Sequence, residues 1–290
     1  MENIIEVKNL QKSFKKNVVI SNLSFSVKQG SVLGLLGTNG AGKTTLLQTM
    51  LGFESKDEGI CTILGSDSPN LSAKVKQKIS FVPQEPGLLE WMKVKQIIAY
   101  TKSFYCEWDD SLVDQLLKEW SIDSEQVIDK MSVGQKQKLA IILALANKPE
   151  ILILDEPVAS LDPVSRRNFI KKLIELNLDE NRSILFSTHI TSDLERVAAE
   201  VMILKDGANF FQGEIDQLKD KVVRLHVKSK SPLPEHLDFT TVKYERSGNT
   251  AQIITMNFNE LDVEQLKLSL DADIQVEYLS LEDIFVEVHS

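Results

Sequence analysis

The sequence predicts an α/β fold with a mostly parallel sheet, and two observations support this prediction. Residues 31–36 are a short, nearly all-apolar segment that leads through a glycine-rich loop into helix-forming residues at 44–51. Two further apolar segments, 151–154 and 184–187, each follow a helical stretch. An alternating order of strands and helices is typical of a parallel sheet with helices packed against it.

The segments on either side of the first apolar strand indicate two further parts of this domain. Residues 4–7, 18–20 and 23–27 have the composition of strands, and a turn at Gln29-Gly30 follows them. They predict an antiparallel sheet. From about residue 90 to 129, apolar residues recur on one helical face, so we expect a helical subdomain over about residues 88–145.

The last part of the chain has a different pattern. Residues 223–227 alternate between apolar and polar, and Gly248-Asn249 predicts a hairpin turn. Ser280 with Asp283 predicts a capping box at the start of a last helix. We therefore expect one domain over residues 1–220 and a small C-terminal α+β domain over residues 221–290.

Composition limits the class of protein and its partners. The 290 residues are 42% hydrophobic and 26% charged, as in ordinary globular proteins. A net charge of −9 disfavours nucleic acid as a partner. Cys61 and Cys106 lack a metal-binding spacing, which indicates free thiols in a reducing compartment. No apolar run approaches the roughly 18 residues of a membrane span, and no signal peptide is evident, so we expect a cytosolic chain.

A phosphate-binding motif follows the first apolar strand. Residues 37–44, Gly-Thr-Asn-Gly-Ala-Gly-Lys-Thr, fit the pattern GxxxxGK[ST] at every position. In such a loop the glycines let backbone N–H groups surround phosphate oxygens, Lys43 contributes a positive charge, and Thr44 can bind Mg²⁺. The alternative is a plain glycine-rich turn, which the flanking strand and helix disfavour.

Two carboxylates follow the apolar strand 151–154. Asp155 is placed to act through the Mg²⁺ shell, and Glu156 is placed to polarise a water molecule that attacks the γ-phosphate. Alone, the pair could equally end a strand in solvent. Together with the phosphate loop, the two carboxylates predict hydrolysis of a nucleoside triphosphate.

Residues 131–138, Met-Ser-Val-Gly-Gln-Lys-Gln-Lys, resemble the signature loop of ATP-binding cassette (ABC) ATPases. The other marks of this family follow in the family's order: 81–84 is similar to the Q-loop, 159–162 to the D-loop and 187–189 to the H-switch. Phe14 stands where family members stack an aromatic ring on adenine. The resemblance spans about residues 4–215.

This resemblance implies a P-loop NTPase fold with a RecA-like, mostly parallel core, an antiparallel β subdomain and an α-helical subdomain. It also implies a head-to-tail dimer that buries two ATP molecules, with Mg²⁺ held by Thr44, Gln84 and Asp155. The implied catalytic residues are Glu156, His189 and Lys43. The implied ATP-binding residues of one chain are Phe14, Gly37, Asn39, Gly40, Ala41, Gly42, Lys43, Thr44, Thr45, Gln84, Asp155 and Asp162, and those that close the site across the dimer are Ser132, Gly134 and Gln135 of the partner subunit.

The signature loop departs from the family pattern at Val133, where glycine is usual. A β-branched residue does not easily adopt the positive φ angles open to glycine, and it adds bulk beside the phosphate. We therefore expect a slower or weaker site than average. Since Lys43, Asp155, Glu156 and His189 are all present, we still expect two working, equivalent sites in a homodimer.

Two classes of protein complex use an ATPase of this kind. In the first, the chain drives a separate polytopic membrane permease from the cytoplasmic face of the cell membrane, and Trp91, near the Q-loop, is the aromatic residue expected at the contact. In the second, a soluble non-transport ABC ATPase acts on nucleic acid or ribosomes. The sequence favours transport because it lacks a second cassette, a long coiled-coil insertion and cysteine-rich zinc modules.

The direction of transport rests on resemblance alone. The C-terminal domain and residues 279–285 resemble the branch that exports drugs, antibiotics and small peptides from bacteria. Residues 100–105, with Trp108 and Asp109, are similar to one Gram-positive subgroup of that branch, which includes exporters of amphipathic peptides. The resemblance implies export of toxic small molecules or amphipathic peptides.

Overall fold

The computed structural model of the protein describes residues 2–68, 70–180, 182–237, 241–256 and 258–290. The chain divides into two units, Met1–Gln212 and Gly213–Ser290, so the division falls shortly before the predicted boundary at residue 220. The strands of the first unit are β1 (Asn3–Phe14), β2 (Asn17–Lys28), β3 (Val32–Leu36), β4 (Glu58–Ile63), β5 (Ser66–Asp67), β6 (Ile79–Val82), β7 (Ile151–Asp155), β8 (Ser183–Thr188), β9 (Glu200–Lys205) and β10 (Ala208–Glu214). Its helices are α1 (Lys43–Leu51), α2 (Ala73–Lys76), α3 (Val94–Lys102), α4 (Asp110–Glu119), α5 (Val133–Ala146), α6 (Pro163–Glu180) and α7 (Thr191–Val197).

The predicted antiparallel sheet is present, with strand order β2-β1-β4-β5. The prediction of two separate strands at 18–20 and 23–27 is wrong, because both belong to the single strand β2. The β1–β2 pairing shifts register at several points, and Asn9 and Asn22 have positive φ angles of 50° and 48°. Asparagine tolerates this left-handed conformation, so the strands bulge and continue to pair where the sequence pattern is interrupted.

The predicted parallel sheet forms the centre of the first unit, in the order β10-β9-β3-β8-β7-β6. All residues of β3, β7 and β8 are buried, as expected for strands covered on both faces. Strand β8 lies between β3 and β7, with Leu36 opposite Thr188 and Asp155 opposite Ser187. The carboxyl ends of the three strands therefore meet at one edge, and the phosphate loop, the two carboxylates and the H-switch all follow from that edge.

The predicted helical subdomain contains α3, α4 and α5. Helix α4 buries Val113, Leu116 and Leu117 and packs against α5, as the apolar periodicity predicts. The three tryptophans of this part differ in exposure, since Trp120 is buried, Trp108 is partly buried and Trp91 is 72% exposed.

The second unit contains α8 (Ile215–Lys221), β11 (Val223–Ser229), β12 (Lys243–Ser247), β13 (Thr250–Thr255), α9 (Glu260–Leu270), β14 (Ala272–Tyr278) and α10 (Leu281–His289). Its antiparallel sheet has the order β12-β13-β11-β14 and packs apolar residues of β11 against α9. The hairpin at Gly248-Asn249 and the capping box of Ser280 with Asp283 are confirmed. In neither unit does a described helix combine the length and the apolar character that crossing a membrane requires.

Candidate active site

A cavity of about 310 Å³ lies at the carboxyl edge of the parallel sheet. It brings together segments that are far apart in the sequence, namely the loop between β3 and α1, the segment after β6 and the residue after β7. Its lining residues are Asn39, Gly40, Gly42, Lys43, Thr44, Thr45, Gln84 and Glu156. The phosphate loop, the Q-loop glutamine and one of the two predicted carboxylates therefore share one cavity.

The phosphate loop adopts the backbone conformation for which its glycines are needed. Gly40 and Gly42 have φ angles of 82° and 100°, and a Cβ atom on Gly42 would lie 3.0 Å from the carbonyl oxygen of Val19. The N–H of Ala41 donates to the carbonyl oxygen of Thr38 (3.2 Å) and closes the loop. Helix α1 begins directly after Gly42 without a side-chain cap, so its first N–H groups are suited to bind an anion.

Lys43 places its ammonium group inside this loop. The side chain is buried, and Nζ donates hydrogen bonds to the carbonyl oxygens of Gly37 (2.7 Å) and Thr38 (3.1 Å). Nζ also lies 3.1 Å from Oε1 of Glu156. A cation held by two carbonyls and one carboxylate is fixed in position at the base of the cavity, where it can attract phosphate oxygens.

Glu156 is the residue around which the site is organised. It is buried, with Oε1 next to Lys43 and Oε2 2.8 Å from Nδ1 of His189. Its φ angle of 47° is unusual for a residue other than glycine and turns the chain sharply after β7. The structure thus brings together the three residues that the sequence analysis names as catalytic.

Asp155 has the environment of a metal-binding carboxylate. It is almost fully buried, and its Oδ1 accepts a hydrogen bond from the hydroxyl of Ser187 (2.6 Å). Its Oδ2 is also buried, and no group in the described part of the chain donates to it. A buried carboxylate oxygen without a partner is costly, and Mg²⁺ or its bound water would satisfy it. Asp155, with Thr44 and Gln84 in the cavity lining, therefore fits the predicted ion.

Comparison with known proteins agrees with this geometry. The sequence family described as "ABC transporter" matches residues 20–159, which include the phosphate loop, the signature loop and both carboxylates. An uncharacterized ABC transporter ATP-binding protein of Bacillus subtilis (strain 168), YxlF, is 32% identical, and the alignment covers 78% of each chain. The chain belongs to the ATP-binding proteins of ABC transporters. The cassettes of this family are ATPases coupled to transport.

Further relatives and solved structures are similar over most of the chain. The Nod factor export ATP-binding protein I of Rhizobium meliloti (strain 1021) is 30% identical, with 98% of this chain and 87% of the relative covered. The bacitracin transport ATP-binding protein BcrA of Bacillus licheniformis is 27% identical, with 99% and 98% covered. A solved ATP-binding subunit of an ABC transporter superimposes with a TM-score of 0.68 at 26% identity, covering 75% of this chain and 92% of that one.

The cassette's signature loop forms the start of α5. Ser132 caps the helix, with its Oγ accepting from the N–H of Gln135 (3.2 Å) and its own N–H donating to Oε1 of Gln135 (2.9 Å). Gly134 lies close to the D-loop, since a Cβ atom there would be 3.1 Å from the carbonyl oxygen of Ser160. The capping arrangement gives this serine and this glutamine a structural role in their own chain as well.

The expectation that Val133 would have difficulty adopting the backbone conformation of this loop is wrong. Val133 is the first residue of α5 and therefore has helical dihedral angles, and it is not among the residues with positive φ. A β-branched residue adopts this conformation without strain, because the first turn of a helix has no preceding turn to crowd it. The side chain is 67% exposed, so only its bulk distinguishes the loop from the usual glycine form.

Eight of the predicted ATP-binding residues are not part of the cavity lining: Phe14, Gly37, Ala41, Ser132, Gly134, Gln135, Asp155 and Asp162. Phe14 ends β1, is 45% exposed and has Nζ of Lys12 4.6 Å from its ring centroid. Asp162 caps α6 by accepting hydrogen bonds from Val164 and Ser165, and these bonds, the one from the Ser165 side chain first, lower the pKa of its carboxyl. For the three signature residues, a position outside this cavity is what the implied dimer requires.

Three residues of this region are not among the predicted site residues, namely Ser187, Arg166 and Asp193. Ser187 bridges the two carboxylate residues, and Arg166 forms a two-point ion pair with the buried carboxylate of Asp193, joining α6 to α7. A polar residue directly after the apolar run 184–186 is the signal that could have drawn attention to Ser187. The partners of Arg166 and Asp193 depend on helix packing and have no local signal.

Proposed function

We propose that this chain hydrolyses Mg-ATP as the motor subunit of an exporter, working as a head-to-tail dimer with a separate polytopic membrane permease at the cytoplasmic face of the membrane. One observation carries the catalytic part of the proposal. The carboxylate of Glu156 lies in the wall of the phosphate-loop cavity, held between the ammonium of Lys43 and the imidazole of His189. This position would place a general base beside the γ-phosphate of ATP bound in the cavity.

Each residue of the site then has a chemical role. The N–H groups at the start of α1 and the ammonium of Lys43 bind the phosphates and stabilise the negative charge that develops during transfer. Oε1 or Oε2 of Glu156 polarises the attacking water, and His189 holds the glutamate and the transferred phosphoryl group in line. Thr44, Gln84 and Asp155 would hold Mg²⁺, which would neutralise negative charge on the phosphates.

The position of the signature loop supports the proposed dimer. The side chains of Ser132 and Val133 are exposed, and the start of α5 presents N–H groups outside the chain's own cavity. We propose that Ser132 of the partner subunit donates to the γ-phosphate and closes the site. ATP then bridges the two subunits, and hydrolysis removes the bridge, so that opening and closing of the dimer moves the permease.

The substrate class rests on relatives and on resemblance. Relatives named for bacitracin transport and for Nod factor export align over nearly the whole of this chain. Residues 100–105, with Trp108 and Asp109, resemble exporters of amphipathic peptides such as phenol-soluble modulins. This resemblance narrows the proposed substrate class. We propose that the permease carries toxic small molecules or amphipathic peptides outward.

The first experiment uses Glu156→Gln, which keeps the side-chain shape and removes the base. We expect ATP binding to persist and hydrolysis to fall by roughly 10²–10⁴-fold, the usual contribution of a general base. Glu150→Gln is the matched control, because Glu150 is an exposed carboxylate just before β7 that pairs with Lys78 on the surface. Turnover near the wild-type rate in Glu156→Gln would show that this residue is not the base.

The same variant identifies the partner. Tagged Glu156→Gln protein is isolated from detergent-solubilised membranes of its native cells with Mg-ATP, and we expect a polytopic membrane protein in stoichiometric amount. Copurifying ribosomes or DNA-repair proteins in its place would favour the non-transport class.

Lys43→Ala, which removes the phosphate-binding cation, should weaken ATP binding itself, and unchanged affinity would contradict the assignment of the phosphate loop.

The surface that contacts the permease can be tested at Trp91. This tryptophan is 72% exposed and follows Gln84 closely, whereas Trp120 is buried. We expect Trp91→Ala to reduce copurification of the permease and to leave ATP binding unchanged. An unchanged yield of permease would place the contact elsewhere.

A further inference from the structure

Ser187 is the next-to-last residue of strand β8. It lies opposite Asp155 in the parallel β7–β8 pairing, two residues before His189. Its side chain is polar and yet completely buried, and it directly follows the apolar residues 184–186. A buried hydroxyl is normally retained only where it makes hydrogen bonds, so its partners indicate what it does.

The hydroxyl of Ser187 bonds to both residues of the carboxylate pair. It donates to Oδ1 of Asp155 (2.6 Å) and accepts from the backbone N–H of Glu156 (2.9 Å). A serine hydroxyl has one hydrogen to donate and can accept at the same time, so both bonds form at one oxygen atom. The two carboxylate residues are thereby held by a single group on a neighbouring strand.

The bond to Asp155 determines which carboxylate oxygen remains available. With Oδ1 engaged by Ser187, rotation of the carboxylate would break a charge-assisted hydrogen bond. Oδ2 is then the buried oxygen to which no described group donates. A cation, or water bound to it, would meet a carboxylate that is already oriented.

The bond to Glu156 stabilises an unusual backbone conformation. Glu156 has a positive φ angle of 47°, which residues other than glycine rarely adopt. Its N–H is satisfied by Ser187, and its side chain reaches Lys43 and His189 from this turn. Losing the acceptor would leave a buried N–H without a partner and would loosen the turn that directs the carboxylate.

We propose that Ser187 is a positioning residue that orients Asp155 for magnesium and fixes the turn at Glu156. The inference rests on the proposed function, since it assumes that this cavity binds Mg-ATP. It predicts that the hydroxyl contributes to nucleotide affinity mainly when Mg²⁺ is present, because only then is the orientation of Asp155 used.

The test compares Ser187→Ala with Ser183→Ala in the full chain. Ser183 lies on the same strand, is equally buried, and its hydroxyl likewise accepts a backbone N–H, from Gly30 (2.8 Å), but it is at the opposite end of β8. The affinity for a fluorescent ATP analogue is measured with excess Mg²⁺ and again with EDTA. Thermal unfolding of both variants shows what the loss of a buried hydroxyl does to the fold alone.

We expect Ser187→Ala to lose affinity about tenfold in Mg²⁺, as for the loss of a hydrogen bond to a charged group, and to stay within about twofold of wild type in EDTA. Ser183→Ala should match the wild type in both conditions. Ser187→Cys, whose thiol is a weaker donor with a larger sulfur atom, should lie between wild type and alanine and replaces Ser187→Ala if the latter does not fold.

Two results would overturn the inference. The first is wild-type nucleotide affinity in Mg²⁺ for Ser187→Ala, or for Ser187→Cys if the alanine variant does not fold. The second is a loss of nucleotide affinity that is equal in Mg²⁺ and in EDTA. The second would show that the hydroxyl only maintains the fold. A wild-type chain whose nucleotide affinity is absent in both conditions would instead overturn the proposed function, so the two failures are distinguishable.

Discussion

Arg166 and Asp193 form the ion pair that joins the helix after the D-loop to the helix after the H-switch. Nε of Arg166 donates to Oδ1 of Asp193 (2.9 Å), and a second guanidinium nitrogen lies 2.5 Å from Oδ2. The aspartate side chain is 3% exposed and that of the arginine 27%. Substituting Arg166 with methionine would therefore keep most of the packing and leave a carboxylate buried without its cation.

The size of the effect follows from this burial. Removing one partner of a buried pair costs about 3–5 kcal/mol, because the remaining charge is left uncompensated. We expect about 3 kcal/mol for Arg166→Met, the lower end of that range, since the guanidinium is partly exposed to solvent. For a unit of this size, 1 kcal/mol shifts the melting temperature by about 2–4 °C, so the expected fall is roughly 6–12 °C.

The assay is differential scanning calorimetry of the full chain with a double-mutant cycle. Arg167→Met is the matched control, because Arg167 is the next residue along α6 and is exposed. The double variant Arg166→Met with Asp193→Leu replaces the pair with apolar side chains and should recover most of the loss. A fall of less than about 2 °C for Arg166→Met, or a double variant no more stable than the single one, would refute the reasoning.

Three further predictions test other parts of the molecule. Val133→Gly should raise ATP turnover in the assembled transporter, because it removes bulk beside the phosphates of the ATP bound by the partner subunit. It should also lower the free energy of unfolding by about 0.5 kcal/mol, because glycine is a poor helix former. A fall in turnover would contradict the first expectation. Burial raises the pKa of the Cys61 thiol to about 12, so a thiol reagent at pH 8 should label only the exposed Cys106 in the native chain and both cysteines after denaturation, and two labels in the native chain would contradict the structure. Hydrogen bonds, the one from His226 first, hold the pKa of Glu277 below its usual 4.5. The stability that ionised Glu277 contributes is therefore present above pH 4.5 and is lost as the pH falls through the lowered pKa. NMR titration should show the pKa of Glu277 rising in His226→Ala, and an unchanged pKa would contradict this cause.

The sequence determined the features that depend on neighbouring residues. The phosphate loop needs glycines and a lysine at fixed spacing between a strand and a helix, and residues 37–44 provide them in order. Asp155 and Glu156 are marked by their position directly after an apolar strand, and the Gly248-Asn249 hairpin by its turn residues. Local backbone preferences decide such features, so a linear pattern is sufficient to predict them.

Only the tertiary structure decided which of these residues meet. Ser187 touches Asp155 and the backbone of Glu156 because β8 lies between β3 and β7, and this strand order depends on the packing of the whole sheet. The ion pair of Arg166 with Asp193 likewise depends on how α6 packs against α7. Contacts between residues far apart in sequence arise when the chain folds back on itself to bury its apolar strands. Their partners are therefore set by packing, and the sequence shows only the residue types that can take part.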